Sequence, residues 1–231
     1  MKALILAGGF GKRLRPITRD IPKPLVEVAG KPIIGWQFEW LKKYGIREVI
    51  LAVGYLREKM MEVIGSGRNF GVRVSYVVED VPLGTGGGVK NAEPFLKNED
   101  LFYVLNGDII SDIDLSLLDE SLEENIVGTI AIVPLPSPYG IVEYDPSTLS
   151  IKRFVEKPII SDYWINAGVY CFTPEIFDYL PEKGDIEKTS FPLLANKGKL
   201  KAVPYKDVFW KSIDTHKDVE EASKILRKIK Y

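Results

Sequence analysis

The sequence predicts an α/β fold, built on a mixed and mostly parallel sheet with helices on both faces. Short runs rich in β-branched residues recur along the chain, and each is almost continuously apolar, which is typical of strands covered on both sides. Helical patterns alternate with these runs, as they do in parallel sheets. Ligands of such folds bind at the carboxyl ends of the strands, where most of the motifs described below lie.

The elements follow one another in a regular order in the first half of the chain. Strands are predicted at 2–7 (KALILA), 47–53 (REVILAV), 72–79 (VRVSYVVE), 101–106 (LFYVLN) and 128–134 (GTIAIVP). Helices are predicted at 32–45 and 56–67, because proline begins the first and glycine ends both. The second half predicts strands at 139–144, 151–158 and 164–172 and an amphipathic closing helix at 215–230. No linker or repeat divides the chain, so residues 1–231 are expected to form a single domain.

Composition excludes several classes of partner. The 231 residues are 45% hydrophobic and carry a formal net charge of −1, so the chain can bury a core but offers no global field for nucleic acid or an anionic membrane. The apolar stretch at residues 3–7 is too short for a membrane span or a signal peptide. The single cysteine, Cys171, fits a reducing cytoplasm. One glutamine, one histidine and abundant Lys, Arg and Glu are typical of a thermophile.

The first strand runs into LAGGFGKRLRP, where three glycines are followed by basic residues. A dinucleotide fingerprint fails because Leu14 stands where its third glycine is needed, and a P-loop fails because Leu6 stands at its first glycine. A plain strand-to-helix turn stays open as an interpretation. Backbone N–H groups freed by glycine, with a guanidinium just beyond them, suit a polyphosphate.

A series of motifs continues from this loop: PKPLVEVAGKP, PLGTGG at 82–87, NGD at 106–108, YGIVE at 139–143, EKP at 156–158 and NAG at 166–168. In this order the series resembles the sugar-1-phosphate nucleotidyltransferases, also called nucleoside-diphospho-sugar pyrophosphorylases, over nearly the whole chain. The resemblance implies the Rossmann-like nucleotide-diphospho-sugar transferase fold, with about residues 1–110 binding nucleotide and about 111–231 binding a sugar phosphate. The reaction it implies joins an NTP to a sugar 1-phosphate and releases pyrophosphate.

The resemblance also assigns residues to tasks. The nucleotide would be bound by residues of the glycine loop, of PLGTGG and of the segment just before PLGTGG. These residues are Leu6, Ala7, Gly8, Gly9, Gly11, Lys12, Arg13, Glu79, Pro82, Leu83, Gly84 and Thr85. The sugar phosphate would be bound by Asn106, Gly107, Gly140, Glu156, Lys157 and Asn166. The catalytic cations would be Arg13, Lys23 and Lys157, and Asp108 and Asp214 would hold Mg²⁺.

Two features of the second half leave alternatives open. Neighbouring strand residues face opposite ways, so Glu156 and Lys157 can both reach a sugar only if the strand is irregular; otherwise one role is wrong.

The family pattern W-x-D is replaced by WKSID, with Ser212 at the usual acidic position and Asp214 two residues later. Asp214 would either reach the metal from there or, like Thr215, cap the closing helix. The missing acid also keeps open a catalytically silent regulatory subunit that binds nucleotide sugar.

Glu79 bears on the choice of base. A carboxylate only accepts hydrogen bonds, so it suits guanine, which presents N1–H and N2–H₂ as neighbouring donors. GTP is therefore favoured, as in mannose-1-phosphate and heptose-1-phosphate guanylyltransferases, with a uridylyl- or thymidylyltransferase acting on glucose 1-phosphate as the alternative. The sequence leaves the sugar and the formation of a homo-oligomer open.

Overall fold

The computed structural model of the chain describes residues 1–228. The strands are β1 Lys2–Ala7, β2 Glu27–Val28, β3 Lys31–Pro32, β4 Glu48–Val53, β5 Arg73–Val78, β6 Phe102–Asn106, β7 Ile109–Ser111, β8 Gly128–Pro136, β9 Ile141–Tyr144, β10 Ile151–Val155, β11 Ile159–Phe172, β12 Leu200–Pro204 and β13 Trp210–Ser212. The helices are α1 Ile33–Lys43, α2 Arg57–Ile64, α3 Gly84–Asn91, α4 Glu93–Leu96, α5 Ser116–Glu120, α6 Ser190–Asn196 and α7 His216–Leu226. Short 3₁₀ helices lie at Lys12–Leu14, Ile17–Arg19, Lys23–Leu25, Arg68–Phe70 and Pro174–Asp178.

A seven-stranded sheet with the order β12-β8-β11-β6-β1-β4-β5 forms the centre of the described chain. Its pairs are parallel except at β11, which runs antiparallel to both β6 and β8. The predicted mixed, mostly parallel sheet is therefore confirmed. Both halves of the sequence contribute strands to it, and the division near residue 110 stays a prediction.

Helices cover both faces of this sheet. Alternate residues of β1 point to opposite sides, so Ile5 packs in one core with Phe38 of α1, and Leu4 packs in another with Val89 of α3. A third, smaller core joins Leu14, just after the glycine loop, to Ile213 near the end of the chain. This third core brings the first and last parts of the sequence together.

The predicted elements of the first half are confirmed to within a residue or a few. In the second half, β10 ends at Val155, so Glu156 and Lys157 lie beyond the strand. The strand expected at 164–172 begins earlier, at Ile159, with irregular register against β8. The closing helix spans His216–Leu226, and the predicted residues 229 and 230 lie outside the described part.

The strands β9 and β10 form a two-stranded ribbon apart from the main sheet. Its apolar side chains, such as Tyr144 and Phe154, are largely exposed. In residues 1–228, the structure contains no helix that is long and apolar enough to cross a membrane.

Candidate active site

One cavity lies where the parallel strands end. It encloses about 400 Å³. Residues that follow directly on β1, β5 and β6 line it: Gly8, Glu79 and Gly107. A Cβ at Gly107 would meet the carbonyl oxygen of Leu6 at 2.5 Å, so glycine is needed for the ends of β1 and β6 to lie this close. The expected position of the site, at the carboxyl ends of the strands, agrees with the cavity.

Most of the predicted site residues line this one cavity. They are Leu6, Ala7, Gly8, Gly9, Gly11, Lys12, Arg13, Lys23, Glu79, Pro82, Gly84, Thr85, Asn106, Gly107, Asp108 and Asp214. Leu83 is outside the lining. Its N–H donates a 3.4 Å hydrogen bond to Glu79 Oε2, and its carbonyl accepts one from the N–H of Gly184. Gly140, Glu156, Lys157 and Asn166 are not part of the lining.

The glycine loop folds into a short 3₁₀ helix that begins after Gly11, whose φ of 58° is left-handed. A Cβ there would lie 3.0 Å from Thr18 Cγ2 and 3.2 Å from Lys23 Cβ, so the loop is packed against the PKP segment. The hydroxyl of Thr18 donates a 2.7 Å hydrogen bond to the carbonyl of Gly11 and closes the turn. The loop therefore holds Arg13 and Lys23 on the same side of the cavity.

Four charged side chains meet at one end of the cavity. The Lys23 ammonium donates hydrogen bonds of 2.6 Å to Asp108 Oδ2 and 2.8 Å to Asp214 Oδ1, and Arg13 Nη2 lies 2.9 Å from the same Asp214 oxygen. The Lys23 side chain is only 13% exposed, whereas that of Arg13 is 73% exposed. Burial alone raises the pKa of Asp214, but the hydrogen bond and charge of Lys23, with help from Ser212 and Arg13, hold that pKa below its usual value.

Pairing of distant segments brings Asp214 to this place. β13 runs antiparallel to β7, and the N–H of Ile213 donates a 2.8 Å hydrogen bond to the carbonyl of Asp108. Ser212 donates a 2.9 Å hydrogen bond to Asp214 Oδ2, which leaves Oδ1 toward the cations. The closing helix is capped by Thr215 in a capping box with Asp218. Asp214 is thus not the cap that was one of its two expected roles.

Glu79 lies against the glycine loop and the base of α3. A Cβ at Gly8 would lie 3.1 Å from Glu79 Oε2, and one at Gly88 would lie 3.0 Å from Glu79 Oε1. Loss of water around the carboxylate raises the pKa of Glu79, and the Leu83 N–H offsets this only in part. A half-buried acceptor therefore faces the cavity at the end of β5.

The glycines of PLGTGGG lie in a helix, α3, which begins at Gly84, although so many glycines predict a loop. The glycines are needed because the 181–185 segment packs directly on them: a Cβ at Gly87 would lie 2.7 Å from the Glu182 carbonyl oxygen. This packing also brings Asp185 into the cavity wall. Asp185 was not among the expected site residues, because no local motif marks it. Phe10 and Pro24, which also line the cavity, belong to the recognised motifs but received no role.

Three of the remaining sugar-side residues, Gly140, Glu156 and Lys157, flank the strands of the β9–β10 ribbon, whereas Asn166 lies on β11. The Glu156 side chain is 62% exposed and that of Lys157 is 48% exposed, and the two pair with each other at 3.4 Å. Lys157 has a φ of 47°, so the irregular backbone that was one of the two alternatives is present. A Cβ at Gly140 would lie 2.9 Å from Glu156 Oε2, which places these two residues together. Asn166, by contrast, donates a 2.8 Å hydrogen bond to the Tyr170 hydroxyl and accepts one from the Gly168 N–H.

The sequence model of the family described as Nucleotidyl transferase matches residues 2–229, almost the entire chain. The chain belongs to this family. A mannose-1-phosphate guanylyltransferase catalytic subunit beta from Danio rerio is 41% identical over 225 residues, or 94% of this chain and 62% of that protein. The protein of the same name from Dictyostelium discoideum is 42% identical over 224 residues, with the same coverage. This nucleotidyl transferase family member thus spans 62% of the length of these relatives.

Solved structures of related proteins share the fold. HddC from Yersinia pseudotuberculosis is 28% identical with a TM-score of 0.76, covering 97% of this chain and 99% of that one. A putative glucose-1-phosphate thymidylyltransferase from Bacillus anthracis is 25% identical with a TM-score of 0.78, covering 100% of this chain and 97% of that one. The nucleotide-diphospho-sugar transferase fold expected from the motifs is confirmed for this member of the family.

Members of this family generally use divalent metal ions, and the charges in the cavity fit such an ion. The formal charges of the lining are three cations, Lys12, Arg13 and Lys23, and four carboxylates, Glu79, Asp108, Asp185 and Asp214. A triphosphate added to this set is not neutralised without further positive charge. Asp108 and Asp214 converge on one ammonium, so their oxygens are close enough to share a cation.

Proposed function

We propose that this chain transfers a nucleotidyl group from an NTP, with GTP favoured, to a hexose or heptose 1-phosphate. The products are an NDP-sugar and pyrophosphate. The observation that carries the proposal is the cavity in which a glycine loop, the two cations Arg13 and Lys23 and two converging carboxylates lie together. This combination suits the transfer of a phosphate-bearing group between two anions.

The reaction needs alignment and charge neutralisation more than covalent help. A phosphate oxygen of the sugar 1-phosphate attacks the α-phosphorus, and the bond from that phosphorus to the bridging oxygen of the β-phosphate breaks. Pyrophosphate leaves with the bonding electrons. In this scheme Arg13 and Lys23 bind the β- and γ-phosphates, and Gly8, Gly9 and Gly11 bring backbone N–H groups close to them.

Mg²⁺ would be held by Asp108 and Asp214. It takes one or two carboxylates and completes its shell with phosphate oxygens and water. When bound, it supplies positive charge at the reacting phosphates. Ser212, which replaces the usual acid, supports this assignment by orienting Asp214 through a 2.9 Å hydrogen bond.

The preference for GTP rests on Glu79. Its carboxylate lies beside Gly8 and Gly88 at the cavity, where a base can approach closely. An acceptor at this point matches the two adjacent donors of guanine, whereas uracil and thymine alternate donor and acceptors. The names of the relatives support the same base, since the curated proteins are guanylyltransferases and HddC is also described in complex with GMP-PN.

The sugar phosphate is proposed to contact Asn106 and Gly107 in the cavity, with Gly140, Glu156, Lys157 and Asn166 beyond it. The ribbon residues Glu156 and Lys157 are outside the cavity wall, so their roles require the substrate to extend toward them or the ribbon to approach. Lys157 would then bind the sugar phosphate and Glu156 would accept from sugar hydroxyls.

Two alternatives have an observation in their favour. The Bacillus anthracis relative, named a putative glucose-1-phosphate thymidylyltransferase, supports a thymidylyl- or uridylyltransferase. Ser212 at the usual acidic position supports a catalytically silent regulatory subunit. A cytoplasmic location, a thermophilic source and a homo-oligomer stay predictions.

The test is a matrix of pyrophosphate-release assays, with GTP, UTP, dTTP, ATP and CTP each combined with mannose, glucose and heptose 1-phosphates. We expect the fastest release with GTP and mannose 1-phosphate or heptose 1-phosphate. Faster release with dTTP or UTP would support the alternative bases. Nucleotide-sugar binding without release in any combination would support the regulatory subunit.

A further inference from the structure

The ammonium of Lys23 lies where a cation shared by Asp108 and Asp214 would lie. It donates hydrogen bonds of 2.6 Å to Asp108 Oδ2 and 2.8 Å to Asp214 Oδ1. The Lys23 side chain is only 13% exposed. The neighbouring residues Pro22 and Pro24 restrict the backbone, so little conformational entropy is lost when the side chain is held there. The contact is therefore a preorganised part of the cavity wall.

Lys23 already binds one oxygen of each of the two carboxylates. Asp214 Oδ1 already accepts from Lys23 and lies 2.9 Å from Arg13 Nη2. No group of three or more His, Cys, Asp or Glu residues within 1–228 is arranged to hold a metal ion. A divalent ion therefore completes its shell with water or substrate phosphates and competes with Lys23 for these carboxylate oxygens.

The phosphates of the nucleotide attract the same two side chains. Arg13 and Lys23 both lie on the cavity wall with the glycine loop, so a triphosphate bound there is within the region they can reach. Arg13 is 73% exposed and can reorient without loss of packing. Transfer of these cations from carboxylate to phosphate would free Asp108 and Asp214 at the moment the phosphates arrive.

We propose that Lys23 occupies the divalent-cation position in the nucleotide-free protein and thereby couples metal binding to nucleotide binding. The protein alone binds the metal weakly, and the nucleotide raises its affinity by drawing Lys23 away. By linkage, the metal raises the affinity for nucleotide by the same factor. This coupling rests on the proposed function for the identity of the nucleotide, but its first consequence, weak metal binding to the free protein, needs no turnover.

The experiment measures Mn²⁺ binding to the nucleotide-free protein, by the electron paramagnetic resonance signal of unbound Mn²⁺. Lys23→Met removes the competing ammonium and should tighten binding about tenfold or more. Lys12→Met is the matched control, because it removes the same charge from the same cavity wall while its ammonium lies over the Phe10 ring. We expect the control to tighten binding less than about threefold.

A second variant guards against misfolding of Lys23→Met. Lys23→Gln removes the charge but keeps an N–H donor for the carboxylates, so it should fold and should tighten Mn²⁺ binding to an intermediate degree. Equal affinities in the wild type and both Lys23 variants, or equal tightening by Lys12→Met, would overturn the proposal.

The two proposals fail separately. Pyrophosphate release by the wild type, together with unchanged Mn²⁺ affinity in the Lys23 variants, would leave the transferase and remove the coupling. Tightened Mn²⁺ binding in a protein that releases no pyrophosphate would do the reverse.

Discussion

Lys23 and Asp214 are 191 positions apart in the chain, yet the Lys23 ammonium donates a 2.8 Å hydrogen bond to Asp214 Oδ1. The contact depends on the small core that joins Leu14 to Ile213 and on the pairing of β7 with β13. The last part of the chain is consequently a wall of the cavity. Asp214 can therefore supply the negative charge that Ser212, at the usual acidic position, lacks.

Asp214 is expected to be essential for activity. Asp214→Asn keeps the shape but removes the charge that a divalent cation needs, so turnover should fall by at least about a hundredfold, with extra Mg²⁺ restoring little. Asp108→Asn should behave alike. The measurement is steady-state pyrophosphate release as a function of Mg²⁺ concentration. Full activity in Asp214→Asn would contradict the metal role, and Ser212→Asp would then show whether an acid at 212 adds activity.

Arg13 is expected to act on charge that develops as pyrophosphate leaves. Arg13→Ala should lower kcat by roughly 10²–10³, the effect of losing one positioned stabiliser. Thermal stability should change little, because this side chain is largely exposed and has one ion pair, to Asp214. Arg15→Ala is the matched control, since Arg15 is an exposed arginine near the same loop but outside the cavity lining. Equal turnover in the two variants would remove Arg13 from the mechanism.

Glu79 is expected to select the base. Glu79→Gln replaces one acceptor with a donor and opposes a guanine N–H, so kcat/KM for GTP should fall about tenfold or more. The loss with UTP and dTTP should be smaller, or become a gain. Asp80→Asn is the control, because Asp80 is the neighbouring acid, highly exposed and paired with Arg57. An unchanged order of preference in Glu79→Gln would assign base choice to backbone groups of residues 83–86 instead.

Glu79 is also expected to make the stability of the free protein depend on pH. Burial raises the pKa of Glu79 above the ordinary 4.5. While the carboxyl is protonated, the folded state therefore has no cost of burying a negative charge. The penalty appears as the pH rises through the raised pKa. Glu79→Gln should therefore melt above the wild type at pH 7, and the difference should vanish below pH 4.5.

Melting temperatures of both proteins across this range provide the measurement. Glu62→Gln, at an exposed position on α2, is the control and should change the melting temperature little at any pH. A difference for Glu79→Gln that does not change with pH would contradict the assigned burial.

Local sequence predicted the sheet well because each strand of its first half is a short, apolar run whose pattern has one interpretation. The resemblance of their motifs to the family, rather than the strand pattern, assigned the glycine loop, Lys23 and Asp108 to one site. α3 could not be predicted, because glycine disfavours helices locally. Its glycines are needed for the close packing of the 181–185 segment, which is a tertiary contact that the local sequence does not show. Asp185 could not be predicted either, because the same tertiary packing brings it to the cavity wall.

The ribbon shows a different limit. Glu156 and Lys157 were recognised by their motif, but a motif does not fix where a projecting pair of strands lies. In the structure they pair with each other outside the cavity. Their contact with a sugar phosphate stays a prediction.

The proposed reaction transfers the α-phosphorus of the NTP to a sugar 1-phosphate. The most direct test incubates the protein with Mg²⁺, mannose 1-phosphate and GTP labelled at the α-phosphorus, and then separates the products. We expect the label to appear in GDP-mannose, with one unlabelled pyrophosphate released for each molecule formed. Label found only in GDP or GMP, or no conversion with any NTP and sugar 1-phosphate, would contradict it.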